Sequence, residues 1–246
     1  MSKREFVIET GEGPARAATY RPESGATGGL PGVLFYMDAF GPRPALDQMA
    51  QRIADRGYVV LLPDLLYRYG AYGPYEVGAV MADEGTRAEV FGRVRATTLD
   101  MTAEDSRAFV PALEAEIGSA SIASVGYCMG GPRALRAAAD FPDRIRAAAS
   151  FHGGNLATDA ADSPHLLAPE IKARLYVGCA STDNSFPPEQ STRLSDALRK
   201  AEVDFALENY LGCAHGWTVP DLPSFNAQGA ERYFSRFTTL LAETLH

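Results

Sequence analysis

Short apolar runs bounded by turn residues recur along the chain, at residues 32–37, 58–62, 122–125, 145–151, 175–179 and 205–210. Runs of this length suit strands buried on both faces of a mostly parallel sheet. Between them the pattern changes period. Residues 44–56 place Leu46, Met49, Ala50 and Ile53 at helical spacing, and Gly57 stops that helix. Residues 102–117 read as a helix capped by Thr102, with Asp105 three residues on. Further helices are predicted over 132–140, over 189–201 with Leu194, Ala197 and Leu198 inward, and over 224–245 with a break near Gly229. Two short strands, 6–8 and 15–20, flank the turn at 11–14, and 24–29 is a loop. In 66–90, Tyr67, Tyr69, Tyr72 and Tyr75 mix with glycines, and this part reads as a loop excursion over the sheet's carboxyl edge.

Strand and helix therefore alternate for most of the 246 residues. The expected fold class is α/β, one domain over 1–246, with a mostly parallel central sheet and helices on both faces. In such sheets active sites sit at the carboxyl ends of the strands.

Composition narrows the partners. A formal net charge of −8 argues against nucleic acid or an anionic membrane as the main partner. No run approaches the roughly 18 apolar residues of a membrane span. The first residues are charged and then alternate like a strand, without the long apolar stretch of a signal peptide. The three cysteines, Cys128, Cys179 and Cys213, are too few and too irregular for a disulfide framework, and no His/Cys cluster has metal-ligand spacing. A cytoplasmic setting, no metal and a small-molecule substrate are expected, with a monomer or small homo-oligomer as the assembly.

The candidate chemistry sits at 126–131, Gly-Tyr-Cys-Met-Gly-Gly, between a predicted strand and a predicted helix. This is the pattern of a nucleophile elbow, Gly-x-Ser-x-Gly, with cysteine in the serine position. The glycines let the backbone bend sharply, and Cys128 would stand at a helix N-terminus, where the macrodipole favours negative charge. A thiol nucleophile needs a base, and the base needs an orienting group. In hydrolases with this elbow the acid follows the nucleophile and the histidine comes last. Of four histidines, His246 is terminal and His165 lies in a polar loop. His215, in Gly212-Cys213-Ala214-His215-Gly216-Trp217, follows the last strand and is the expected base. His152 also ends a strand, either lining a pocket or turning the chain beside Gly153-Gly154. Asp183, after the strand ending near Cys179, is the expected acid, against the alternative of a turn or capping aspartate. The backbone amides of Met129 and Ala39 are the expected oxyanion donors. Cys179 and Cys213 read as small apolar fillers.

The segments Met37-Asp38-Ala39-Phe40-Gly41, Gly57-Tyr58 through Pro63-Asp64-Leu65, and Gly126–Gly131, with Asp183 and His215-Gly216-Trp217, resemble the dienelactone hydrolase family in order over nearly the whole chain. The resemblance implies an α/β-hydrolase fold, a Cys128–His215–Asp183 triad, no cofactor, and hydrolysis of an ester or lactone as in carboxymethylenebutenolidase. It also implies a substrate pocket near Asp38, Phe40 and Trp217. Two positions depart from the family pattern. Asp38 stands where type members carry a glutamate that contacts the resting thiol, so Asp38 is either beside the thiol or a structural turn residue. Val219 stands where type members carry an arginine for the substrate carboxylate. Arg87, Arg93 and Arg95 are candidates to replace that charge, or form a solvated helix face. Two other readings stay open: an esterase or thioesterase acting on a neutral or non-dienelactone substrate, and a non-catalytic ligand-binding protein on the same scaffold.

Overall fold

A computed structural model describes residues 2–25, 29–118 and 121–246. Part of the loop expected over 24–29 thus lies outside the described residues. The strands are β1 (Ser2–Thr10), β2 (Gly13–Arg21), β3 (Gly32–Tyr36), β4 (Val59–Pro63), β5 (Ile122–Tyr127), β6 (Ile145–Phe151), β7 (Arg174–Thr182) and β8 (Phe205–Ala214). Among the described residues they form one eight-stranded sheet, ordered β1-β2-β4-β3-β5-β6-β7-β8. The β1–β2 hairpin joins β4 antiparallel; β3 to β8 run parallel. This is the mostly parallel α/β arrangement expected from the alternating pattern, and it agrees with the α/β-hydrolase fold that the resemblance implies. Every residue of β3, β4 and β5 is buried, which accounts for their unbroken apolar runs.

The helices are α1 (Pro44–Ala54), α2 (Val77–Ala82), α3 (Glu84–Ala96), α4 (Leu99–Ile117), α5 (Gly130–Asp140), α6 (Pro188–Lys200) and α7 (Ala227–Leu245). α1 packs on β2 and β4, and α7 on β5, β6 and β7. Arg52 of α1 lies 3.8 Å from the Phe234 ring of α7, so these two helices share a face. α4 and α5 pack together and against β3. None of the described helices is long and apolar enough to cross a membrane.

Three local expectations are corrected. Residues 66–90 are not a plain loop, because they contain α2 and the start of α3. Only Val90 is buried in α3, so no apolar period marks it. Its start is set by the Asp83 side chain, which accepts from the Thr86 amide at 2.7 Å, and Glu76 caps α2 in the same way. α4 begins a turn earlier than the Thr102 cap implied, with Thr98 accepting from the Met101 amide at 3.2 Å. Asp105 is instead held by Arg68 and Tyr67. Finally, α7 does not break at Gly229. A Cβ there would lie 2.6 Å from Cys213 Sγ and 2.9 Å from Trp217 Cδ1, so the glycine permits close packing.

The closest backbone approach in the fold lies where β5 turns into α5. A Cβ on Gly126 would stand 1.9 Å from the Gly130 carbonyl oxygen, and one on Gly130 would stand 2.3 Å from that of Tyr36. Backbone atoms cannot yield to such contacts. Gly126→Ala is therefore expected to destabilise the protein by at least ~2 kcal/mol. Urea unfolding midpoints measure this, and a variant within the error of wild type would contradict the packing described.

Candidate active site

The side chain of Cys128 is presented by an unusual backbone. Its φ is +54°, a left-handed value that non-glycine residues rarely adopt. The strain is held by neighbours on both sides. The Cys128 amide donates to the Phe151 carbonyl at 3.2 Å and to His152 Nδ1 at 3.1 Å, and its carbonyl accepts from the Gly131 amide at 3.0 Å. The thiol is thereby turned out of the sheet at the start of α5, as the elbow pattern predicts.

β7 and β8 deliver the other two groups. Asp183 follows the last residue of β7, and His215 follows the last residue of β8. The His215 amide donates to the Thr182 carbonyl at 3.3 Å, which holds the two loops together. His215 Nδ1 donates to Asp183 Oδ2 at 2.7 Å. The other Asp183 oxygen accepts from the Ser185 amide at 2.8 Å and the Ser185 hydroxyl at 2.6 Å. With Nδ1 committed, Nε2 is the ring nitrogen left to act on a neighbour. Burial opposes charge on His215, but the bond to Asp183 and the nearby Cys128 thiol outweigh it and raise its pKa from 6.5 to about 10. Burial likewise opposes charge on Asp183, and the His215 and Ser185 bonds still hold its carboxyl below the usual range. The site is thus built to carry an imidazolium.

Cys128, Met129, Asp183 and His215 line one cavity of about 880 Å³. The start of α5 lies against the loop after β3, since a Cβ on Gly130 would also stand 2.7 Å from the Met37 carbonyl oxygen. Among the described residues, the amides of Met129 and Ala39 donate to no protein acceptor. Met129 lies on the cavity wall, whereas Ala39 is buried in the apolar cluster against which Cys128 packs.

The expected substrate contacts are placed differently. Asp38 is not beside the thiol. It is 1% exposed, and its two oxygens accept from Arg43 at 2.7 and 2.8 Å. Arg43 also donates to Asp221 at 2.6 and 2.9 Å, tying the loop after β3 to the loop after His215. A buried carboxylate needs a cation, and Arg43, five residues on, supplies it. Trp217 is 0% exposed and packs on Tyr210 and His152 instead of lining the cavity. Phe40 joins Ala39, Val77, Val80 and Val90 in an apolar cluster on which Cys128 and Phe91 rest. Tyr67 and Tyr72 bond to Asp105 and Asp64, and Tyr75 accepts from Arg93, so none of these three tyrosines reaches the cavity wall. Cys179 and Cys213 are buried fillers, and burial pushes the Cys179 thiol up to about 12.

Sequence reasoning missed Arg133 and Ser185. Arg133, on α5, is buried on the cavity wall and donates to Thr102 Oγ1 at 2.9 Å and to the carbonyls of Met129 and Thr97. Helical spacing gives no sign that a cation would face inward there. Ser185 had a local signal, since Asp-x-Ser favours an Asx turn. Of the candidate arginines, Arg95 lines the cavity, exposed and without an acidic partner among the described residues. Arg93 is paired with Glu89, and Arg87 donates to the Met81 carbonyl.

Known proteins agree with this architecture. The family model described as "Dienelactone hydrolase family" matches residues 16–245. A Synechocystis sp. protein named "Putative carboxymethylenebutenolidase" is 26% identical over 87% of this chain and 86% of its own. The "Carboxymethylenebutenolidase" of Pseudomonas sp. (strain P51) is 32% identical over 47% of each chain. Among solved structures, the "Putative Dienelactone Hydrolase" of Klebsiella pneumoniae superposes with a TM-score of 0.85 at 22% identity, covering 98% of both chains.

Replacing Asp183 by Asn removes the charge that outweighs burial at His215. Proton NMR of the imidazole is expected to show titration near 10 in the wild type and a fall towards 6.5 in Asp183→Asn. Because the folded-state value is raised, the stability it contributes is complete below pH 6.5 and is lost as pH rises towards 10. An unshifted titration in Asp183→Asn would mean that another group sets the histidine's charge.

Proposed function

The chain belongs to the dienelactone hydrolase family, and we propose that it hydrolyses an ester or lactone through an acyl-enzyme on Cys128. The observation that carries this reading is the Asp183–His215 hydrogen bond on the same cavity as the strained Cys128 elbow. A non-catalytic binding protein would have no use for a strained cysteine sharing a cavity with a polarised histidine.

The Cys128 thiolate attacks the carbonyl carbon, forming the S–C bond and moving the carbonyl π electrons onto oxygen. The Met129 and Ala39 amides receive that oxyanion. Collapse re-forms the carbonyl and breaks the C–O bond, and His215 gives its proton to the leaving oxygen, during or just after its departure, which leaves the imidazole neutral. Neutral His215 then takes a proton from water, whose oxygen attacks the thioester. The S–C bond breaks, the carboxylic acid leaves, and the thiolate is restored beside the imidazolium. Asp183 keeps Nδ1 protonated throughout and stabilises the charged ring.

An imidazolium with a pKa of about 10 is a reluctant acid. Leaving groups that are stable as anions, such as enolates and phenolates, need little from it, whereas alkoxides need a full proton. Enol lactones and aryl esters are therefore the favoured substrates. The acyl side is set by cavity charge. Asp183 is committed to His215 and Ser185, and Asp162 is the other acid on the wall. Arg95 and Arg133 line the same cavity, Arg133 committed to Thr102 and two carbonyls, while Val219 is buried and carries no charge. This supports a substrate with a carboxylate away from the scissile bond, held at the Arg95 side. The rival reading, an esterase or thioesterase for neutral substrates, rests on Val219.

Cys128→Ala should lose hydrolysis of an activated aryl ester by on the order of 10⁴-fold or more. Turnover at the wild-type rate would remove Cys128 from the reaction. Arg95→Gln should raise KM about tenfold for a carboxylate-bearing aryl ester and leave its neutral counterpart unchanged. Equal effects on both esters, or a wild-type preference for the neutral one, would favour the rival substrate class.

A further inference from the structure

His152 is the buried titratable group that this chemistry leaves unused. It is 1% exposed, and its backbone φ is +41°, another left-handed value on a residue with a side chain. The conformation is kept by its own amide, which donates to the Gly178 carbonyl at 2.9 Å at the end of β7's pairing with β6. Its ring is thereby driven underneath the elbow. There Nδ1 accepts the Cys128 amide proton at 3.1 Å. An atom that accepts from an N–H cannot carry a proton itself, so the ring proton sits on Nε2. Nε2 then donates to Thr218 Oγ1 at 2.8 Å.

We propose that His152 is a positioning residue: it fixes the Cys128 peptide relative to the loop that carries His215. This rests on the reading of Cys128 as nucleophile and His215 as its base. The two ring nitrogens reach the two halves of the site. One holds the amide of the nucleophile itself, and the other holds the residue three places after the base. A histidine that merely filled the core would have no reason to bond both. It is not a second base, since both nitrogens are committed and the ring is absent from the cavity wall. The Cys128 amide is shared between the Phe151 carbonyl and His152 Nδ1, so the direction of its N–H, and with it the left-handed φ, depends on the ring staying in place.

The arrangement also requires a neutral ring. Charged, His152 would turn an N–H towards the Cys128 amide and would face the His215 ring, whose centroid is 5.1 Å away. Burial and the neighbouring His215 both hold its pKa well below the ordinary histidine value, against the attraction of Asp183. Those two groups and the Cys128 thiol are the titratable neighbours on the site side. Trp217 and Tyr127 close the remaining ring contacts.

The test uses two substitutions that divide the ring's functions. In His152→Asn the side-chain oxygen can stand where Nδ1 stands and accept from the Cys128 amide. In His152→Gln the longer side chain can reach Thr218 but leaves that amide with the Phe151 carbonyl alone. With an activated aryl ester, His152→Asn should keep kcat within about fivefold of wild type, and His152→Gln should lose about a hundredfold in kcat with KM within about threefold. The rate of Cys128 alkylation by iodoacetamide should fall in the same order. Equal losses in the two variants, a KM effect alone, or a His152→Gln kcat within twofold of wild type would each overturn the proposal. Should His152→Gln fail to fold, Thr218→Val carries the test. It frees Nε2 only, the bond that His152→Asn also loses, and a kcat loss of about fourfold at unchanged KM is expected; an unchanged kcat overturns the role. Cys128→Ala separates the two readings. If it still turns over, the nucleophile assignment falls; if it is silent while His152→Gln is fully active, only the positioning role falls.

Discussion

A residue with a side chain held at φ +54° can persist only where the surrounding backbone leaves it no other conformation. Cys128 is such a residue, and much of the central fold answers to it. Gly126 and Gly130 let β5 and α5 meet at a separation that no Cβ would survive, and Gly130 also lets α5 lie against the end of β3. A Cβ on Gly131 would stand 2.4 Å from Ser150 Oγ and 2.5 Å from the Gly153 Cα, so β6 closes in from the other side. The same compression that strains the cysteine brings the loop after β3 up to the start of α5.

Charge is handled in two contrasting ways around this corner. Asp38, Arg43 and Asp221 form a pairing network in which the buried carboxylate is fully met by a buried guanidinium. Removing Arg43 would leave Asp38 as an uncompensated buried charge, so the network suits a fixed brace between the loop after β3 and the loop after His215. The Asp183–His215 pair is asymmetric. Asp183 is buried and bonded on both oxygens, whereas His215 remains about a third exposed and opens on the cavity. The proton affinity of the pair is therefore concentrated on the group that can exchange protons with a substrate. Arg133 stands apart from both. It is a buried cation whose described partners are a hydroxyl and two carbonyls, and burial lowers its pKa to about 10.

The placement of Cys128, Asp183 and His215 on one cavity was legible because each occupies a position set by chain order: a cysteine in a glycine-flanked turn after one strand, an aspartate after another, a histidine after the last. Such order is written locally, in strand endings and small residues. Asp38 and Trp217 were not legible in the same way. Both lie in segments that touch the site, and sequence proximity suggested contact with substrate. What decides their direction is a partner distant in sequence or in rotamer: Arg43 bridging to Asp221 for one, and the Tyr210 and His152 rings for the other. The helices within 77–96 escaped for a different reason. α3 buries a single residue, so its stability comes from capping and not from an apolar stripe, and a period search finds nothing to register.

The sequence by itself determined the alternation of buried strands and amphipathic helices, the glycine-flanked turn at Cys128, and the order in which acid and histidine follow it. These are properties of neighbours along the chain, governed by backbone sterics and burial within short segments. Only the tertiary structure decided which way the polar side chains of the loops turn. It sent Asp38 to Arg43 and Trp217 into the core, placed Arg95 and Arg133 on the cavity wall, and brought His152 beneath Cys128. Those outcomes depend on which buried donor, acceptor or charge lies within hydrogen-bond reach, and that is set by contacts between segments far apart in the chain.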